Sequence, residues 1–177
     1  MPSVEFERGL RGFVATGSGI DVMLVMPGDD LPGDDKGPAP KTAYASVKYV
    51  EGSRDGYPAV RYDTNGLATI ATPKTSLYSV QFYRAGAIAA AEAFEAWVES
   101  PLGLDAATEA GFQIEFPLEL RRLDTLISDV SEERVGIDLT VHWVNTRTLK
   151  TPTVDRIEGT VIHSTPSERM EATVSHG

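Results

Sequence analysis

Cysteine is absent from the sequence, and histidine is scarce. Without cysteine the chain cannot form a disulfide scaffold, a thiolate zinc site, an iron–sulfur cluster or a thiol nucleophile. Its three histidines, His142, His163 and His176, do not pair at a metal-ligand spacing. A chain of 177 residues can still bury roughly two-thirds of its unfolded surface, so it needs no disulfide or metal to fold.

Basic residues and long apolar runs are also scarce. Sixteen Lys and Arg against 26 Asp and Glu give a formal charge of −10. This excess opposes the counterion release that drives nucleic-acid binding, so we expect no DNA-binding module, although DNA could slide past such a protein. No apolar run approaches roughly 18 residues, and the N-terminus lacks the basic-then-apolar order of a signal peptide. We therefore expect a soluble protein made in a cytoplasm.

Three segments have the pattern of a helix. Residues 3–16 begin with a serine that can cap the first turn, and Gly17-Ser18-Gly19 ends this segment. The clearest helix is the alanine-rich segment 87–99, because Pro101 prevents its continuation. Residues 103–111 predict a second, shorter helix after it.

Apolar and polar residues alternate over much of the remaining chain, as they do in half-buried strands. Residues 135–144 show this best, with Leu139 at the centre of the apolar face. The compact apolar run 22–26 predicts a buried strand, whereas residues 118–128 predict a polar connector. The other predicted strands are residues 42–50, 57–62, 67–71, 76–83, 112–116 and 154–163.

This order of elements predicts an α+β fold: a mostly antiparallel β-sheet with an N-terminal helix and one main alanine-rich helix packed on one face. We expect a single domain over residues 1–163, which includes a flexible acidic loop at residues 28–40. We expect residues 164–177 to form a polar C-terminal tail.

Motifs for catalysis or cofactor binding are missing from the sequence. Gly17-Ser18-Gly19 lacks the spacing of a phosphate or dinucleotide loop, and there is no G-x-S-x-G or H-E-x-x-H motif. His142 lies on the polar face of its strand, where Asp138 could orient it and His163 could face it, but no activated nucleophile accompanies them. We therefore expect no enzyme, no cofactor, and no catalytic or metal-binding residues.

The loop at residues 28–40 concentrates acidic residues, and these invite a calcium hypothesis. Their spacing does not match the alternating ligands and closing glutamate of an EF-hand loop, so a solvated loop is the preferred interpretation. Its four aspartates are also candidates for a contact with a partner. The four residues are Asp29, Asp30, Asp34 and Asp35.

Four arginines stand out on this acidic chain: Arg84, Arg121, Arg122 and Arg134. One interpretation is local pairing with the acids closest to them. The other is docking onto an acidic surface of a neighbouring copy of the chain. The candidates for local pairing are Glu119, Asp124, Glu132 and Glu133.

Two stretches resemble the tail-terminator and neck proteins of long-tailed, particularly contractile-tailed, bacteriophages. The first is TSLYSVQFYRAGAIAAAEAFEAWVES, from Thr75, in which a strand runs into an alanine-rich helix. The second is LISDVSEERVGIDLTVHWVN, in which Glu132-Glu133-Arg134 leads into an alternating strand. The resemblance spans about residues 75–144, and its motifs are structural rather than catalytic.

The resemblance implies a structural virion protein that forms a ring, commonly a hexamer, at the top of the phage tail. Such a ring terminates assembly of the tail tube and sheath and joins the tail to the head connector, while DNA passes without specific binding. The implied partners are further copies of the chain, tube and sheath proteins, and connector proteins. The protein is expected in the virion neck after assembly in the host cytoplasm. Two alternatives stay open: a twelve-copy adaptor under the portal, and a small non-enzymatic binding module.

Overall fold

The computed structural model of the protein describes residues 2–28, 40–63, 67–123, 125–127 and 130–150. These residues form three helices, a short 3-10 helix and nine strands, so the predicted α+β fold is confirmed. In chain order the elements are α1 (Val4–Ser18), the 3-10 helix (Val22–Leu24), β1 (Val25–Pro27), β2 (Tyr44–Arg54), β3 (Ala59–Tyr62), β4 (Leu67–Tyr83), α2 (Ala87–Val98), α3 (Pro101–Glu109), β5 (Phe112–Ile114), β6 (Leu120–Arg122), β7 (Thr125–Ile127), β8 (Val130–Glu132) and β9 (Arg134–Lys150).

The chain divides into two compact units. The first comprises Met1–Pro58 and Ala71–Asn145, and it contains all three helices. The second comprises Ala59–Ile70 and Thr146–Gly177, and its described part consists of β3 paired with β4 and the last residues of β9. The predicted boundary between a domain and a tail at residue 163 lies outside the described residues and stays a prediction, as does the predicted strand 154–163.

Seven strands form one mixed sheet: five have the order β1-β2-β4-β9-β5, β3 pairs with β4, and β6 pairs with β9. β1 runs parallel to β2, whereas β4 pairs with β2 in antiparallel register. Both β5 and β6 pair with β9, β5 opposite Val141–Trp143 and β6 opposite Val135–Ile137. β7 and β8 form a separate two-stranded antiparallel hairpin.

One face of the sheet packs against the helices to form the core. The predicted apolar face of β9 is confirmed, since Val135, Ile137, Leu139 and Val141 are all buried. α1 begins at the predicted cap, where the Ser3 hydroxyl accepts a hydrogen bond from the Phe6 N–H, and it ends at Gly19 in the left-handed conformation. The core also contains the ring of Phe13, which packs against Phe94, Trp97 and Phe112.

The alanine-rich helix is α2, and it lies close to the core because its buried side chains are mostly small. Ala87, Ala90 and Ala91 are buried together with Phe94 and Val98. The next helix, α3, begins two residues earlier than predicted. Its first residue is Pro101, which lacks the N–H that a first helical turn leaves unused, and its cap is the Ser100 hydroxyl, which accepts from the Gly103 N–H.

Four predictions of strands need correction. The apolar run 22–26 is only partly a strand, because Asp21 caps a 3-10 turn there that leaves Met23 81% exposed. The segments 67–71 and 76–83 are one continuous strand, β4. The strand predicted over 57–62 is shorter, β3 (Ala59–Tyr62), and all four of its residues are exposed. Residues 118–128, predicted as a connector, contain β6 and β7.

Candidate functional site

The fold brings the four conspicuous arginines towards the start of β9. Arg134 is the first residue of β9, and β6, which carries Arg121 and Arg122, pairs with the residues that follow it. Arg84, in the connection between β4 and α2, donates its backbone N–H to the Glu133 carbonyl at 3.0 Å. About fifty residues of sequence separate Arg84 from Arg134, so this arrangement depends on the sheet.

Arg84 adopts a strained backbone conformation that its contacts hold in place. Its φ angle is +75°, a region that residues other than glycine seldom occupy. The Arg84 Nε lies 3.1 Å from the Glu132 Oε1, and both atoms are buried although the N–H does not point at the oxygen. The local pairing of Arg84 with Glu132 that the sequence suggested is therefore present, as an ion pair without a well-aligned hydrogen bond.

Glu133 caps helix α2, a role that the sequence did not reveal. Its Oε2 accepts hydrogen bonds from the backbone N–H groups of Gly86 at 2.7 Å and Ala87 at 3.2 Å. Gly86 is the N-cap residue and has no side chain to fill this role. A carboxylate at a helix N-terminus satisfies free N–H groups and interacts favourably with the helix dipole. The sequence suggested Glu133 as a partner of an arginine. In the structure its carboxylate accepts from the N-terminus of α2, and its backbone carbonyl accepts from the Arg84 N–H.

Arg134 anchors a group of polar side chains on the sheet face that the helices leave uncovered. Its guanidinium donates to the Gln81 Oε1 and lies 5.0 Å from the centre of the Tyr83 ring, a cation–π distance. The Tyr83 hydroxyl donates to the same Gln81 oxygen at 2.8 Å, and its ring stacks on Tyr44 at 4.6 Å. Burial raises the pKa of Tyr44, and the charge of Glu132 adds to this effect.

Arg121 and Arg122 differ from the other two arginines because they face solvent. Arg121 forms an ion pair with Asp138, and the two side chains are 54% and 42% exposed. Exposed ion pairs of this kind contribute about 0–1 kcal/mol to stability. The pair therefore adds little to folding, and both Arg121 and Arg122 are exposed.

His142 lies between two carboxylates at the opposite end of the β9 core. Its Nδ1 is 2.8 Å from the Thr75 Oγ1 and 3.8 Å from the Asp55 Oδ2, and its Nε2 is 3.5 Å from the Glu115 Oε2. Thr75 donates a hydrogen bond to Asp55, which is the main reason that the pKa of Asp55 is lowered. The expectation that Asp138 orients His142 is wrong, because Asp138 pairs with Arg121 instead.

A cavity of about 500 Å³ adjoins His142. The two carboxylates lie on opposite sides of the imidazole, so they cannot share one ion with it. Over the described residues, no three His, Asp or Glu side chains converge where a metal ion could bind. The lining residues are Asp55, Pro73, Lys74, Thr108, Gly111, Phe112, Gln113, His142, Trp143 and Val144.

The other predicted site residues fall outside the described part of the chain. These are the four aspartates of the acidic loop, Asp29, Asp30, Asp34 and Asp35, together with His163. None of the described helices is long and apolar enough to cross a membrane.

The fold and these contacts define an α+β protein in which the charged side chains described above cap a helix, join strands or face solvent. A family model described as phage neck terminator protein matches residues 4–167, and the chain belongs to this family. The family is structural, so the chain is a component of the phage neck and associates with other tail and head components. No curated protein matches the chain significantly.

Proposed function

We propose that the protein forms a closed homo-oligomeric ring, most simply a hexamer, at the top of the phage tail. The ring terminates the tail tube and sheath and joins the tail to the head connector, and DNA passes through its bore. The observation that carries this proposal is the family match over residues 4–167, which spans both compact units. The net charge of −10 supports it, because an acidic bore repels passing DNA.

The proposed ring needs surfaces through which its subunits meet. β1 is an edge strand of three residues that ends in Pro27, and β5 at the other end is also three residues long. β2 extends beyond β1 from Lys48 to Arg54, so the edge on that side is longer than β1 itself. We propose contacts through side chains, with Arg84, Arg121, Arg122 and Arg134 as interface residues and Arg121 and Arg122 contributing most.

The acidic loop is proposed as a second contact. Asp29, Asp30, Asp34 and Asp35 would meet basic residues of a neck, tube or sheath protein. Limited proteolysis at Lys36 tests this: cleavage in the free subunit should slow strongly in assembled particles, and equal cleavage in both would contradict the contact.

Native mass spectrometry of the purified protein tests the ring. The expected species is six times the subunit mass of 19.1 kDa. A twelve-fold species would favour the alternative of an adaptor under the portal. A monomer or dimer at all concentrations would contradict the ring and favour a small binding module.

A further inference from the structure

Helix α3 is oriented unusually, with its small residues inward and its leucines outward. Its buried residues are Gly103 and Ala107, whereas Leu102 is 72% exposed and Leu104 is 45% exposed. A Cβ atom on Gly103 would lie 2.2 Å from the Trp97 carbonyl oxygen, so the glycine is what allows α3 to pack against the end of α2. A surface helix normally buries its large apolar side chains. The outward leucines of α3 are therefore available to a partner.

A hollow beside Leu104 continues this apolar surface. Its volume is about 290 Å³, and four of its six lining side chains are apolar, which suits the insertion of an aliphatic side chain. The lining residues are Leu104, Ala107, Thr108, Phe112, Gln113 and Ile114.

The charge around α3 has a single sign. Residues 85–120 contain seven acids and no lysine or arginine. Glu99, Asp105 and Glu109 flank the exposed leucines and are themselves exposed. We call Glu99, Leu102, Leu104, Asp105 and Glu109 the α3 surface. A partner segment that fits it must combine positive charge with an aliphatic side chain.

The chain carries such a segment in β6 and the residue after it. Arg121 and Arg122 are exposed there, and Leu123 is 39% exposed. We call these three residues the β6 surface. Arg121 of β6 pairs with Gly136 of β9. Gln113 of β5, the strand that follows α3, pairs with His142, which lies six residues further along β9. That separation is roughly 20 Å, so one subunit can use both surfaces at once without overlap.

We infer that the β6 surface of one subunit docks onto the α3 surface of the next, with the arginines against the acids and Leu123 at the hollow. The inference rests on the proposed ring and names its two contacting surfaces. A ring with more than two subunits needs such a contact, in which two different surfaces meet head to tail.

Charge reversal on each surface, followed by mixing, tests the pairing. Arg121→Glu with Arg122→Glu makes the β6 surface acidic, and Asp105→Lys with Glu109→Lys makes the α3 surface basic. Each variant alone then brings like charges together, and its assembly should weaken by about tenfold or more per interface. In an equimolar mixture every β6 surface can meet an α3 surface of opposite charge, so alternating rings should form again. Native mass spectrometry resolves these rings by mass.

The controls separate the possible failures. Glu5→Lys with Glu51→Lys changes two exposed acids elsewhere by the same total charge and should assemble like the wild type. Circular dichroism establishes that each variant folds. If the wild type forms a ring and neither reversal weakens it, or if mixing restores nothing, the inferred contact is wrong while the ring stands. If the wild type forms no oligomer, the proposed function itself fails.

Discussion

The indole of Trp97 lies so close to Gly17 that a Cβ atom there would be 2.4 Å from the ring Cε3. The Phe94 ring would be 2.8 Å from the same atom. Glycine normally weakens a helix interior, and its presence near the end of α1 is explained by this close approach of α2. The contact is one of those that hold the two helices together over the core.

Gly17→Ala is therefore expected to destabilise the protein, although alanine has the higher helix propensity. Crowding in a packed core costs about 1–3 kcal/mol, which outweighs a propensity gain of about 1 kcal/mol. Gly9→Ala and Gly12→Ala are matched controls in the same helix, because a Cβ atom at either position meets nothing within 4 Å. Both controls should raise the midpoint of urea unfolding, and Gly17→Ala should lower it. A rise for all three would contradict the packing.

Removal of the carboxylate that caps α2 gives the second prediction. Glu133→Ala leaves the N–H groups of Gly86 and Ala87 without the acceptor they have now, and it should reduce the free energy of unfolding by about 1 kcal/mol. Glu92→Ala, an exposed position in the middle of the same helix, should change it by less than about 0.5 kcal/mol. Equal effects of the two variants in denaturant titrations would show that Glu133 is not a cap.

The third prediction concerns the lowered pKa of Asp55. Thr75→Val removes the hydrogen bond that contributes most to the lowering of this pKa, so the pKa of Asp55 should rise towards its ordinary value of 3.8. Ser53→Ala removes a weaker contribution and should raise it less. NMR titration of the carboxyl carbons measures both shifts. An unchanged pKa in Thr75→Val would assign the shift to another cause.

The lowered pKa of Asp55 also makes the stability of the protein depend on pH. The folded pKa of Asp55 lies below its unfolded value, so the hydrogen bond stabilises the protein above pH 3.8 and this contribution is lost as the pH falls through the folded pKa. Thr75→Val should therefore reduce the acid sensitivity of unfolding below pH 3.8. The wild type and the variant should differ by a constant amount at neutral pH.

Local patterns predicted the helices and the best strand because each of these buries one face by its own periodicity. The Ser3 cap of α1 and the alternation of residues 135–144 are both local signals, and the structure confirms both. β4 was predicted as two strands because Pro73 and Lys74 interrupt its apolar alternation. The strand nevertheless continues, since the Pro73 carbonyl accepts from the Asp55 N–H and Lys74 pairs with Arg54 of β2.

What the sequence could not reveal depends on contacts between distant segments. β6 has too many charges for a strand pattern, and it is a strand because β9 supplies its hydrogen-bonding partner. The motif Glu132-Glu133-Arg134 is visible in the sequence, but its contacts are not. Glu132 pairs with Arg84, Glu133 caps α2 and Arg134 lies over Tyr83, and these partners lie about fifty residues earlier. The outward leucines of α3 were hidden for the same reason, because only the packing of Gly103 against Trp97 shows which side faces inward.

The last prediction separates the core face of β9 from its uncovered face. Leu139 is fully buried against the helices, and Leu139→Asp places an unpaired charge there while removing the largest side chain at that point of the strand. The loss of packing alone costs about 2–5 kcal/mol, and the charge adds to it, so the subunit should unfold at 25 °C. Thr140→Asp is the matched control, because the next residue points to the other face and is only half-buried. Circular dichroism and size-exclusion chromatography should show an unfolded or aggregated Leu139→Asp and a folded Thr140→Asp. A folded Leu139→Asp variant would mean that the helices do not cover this face of the sheet as described.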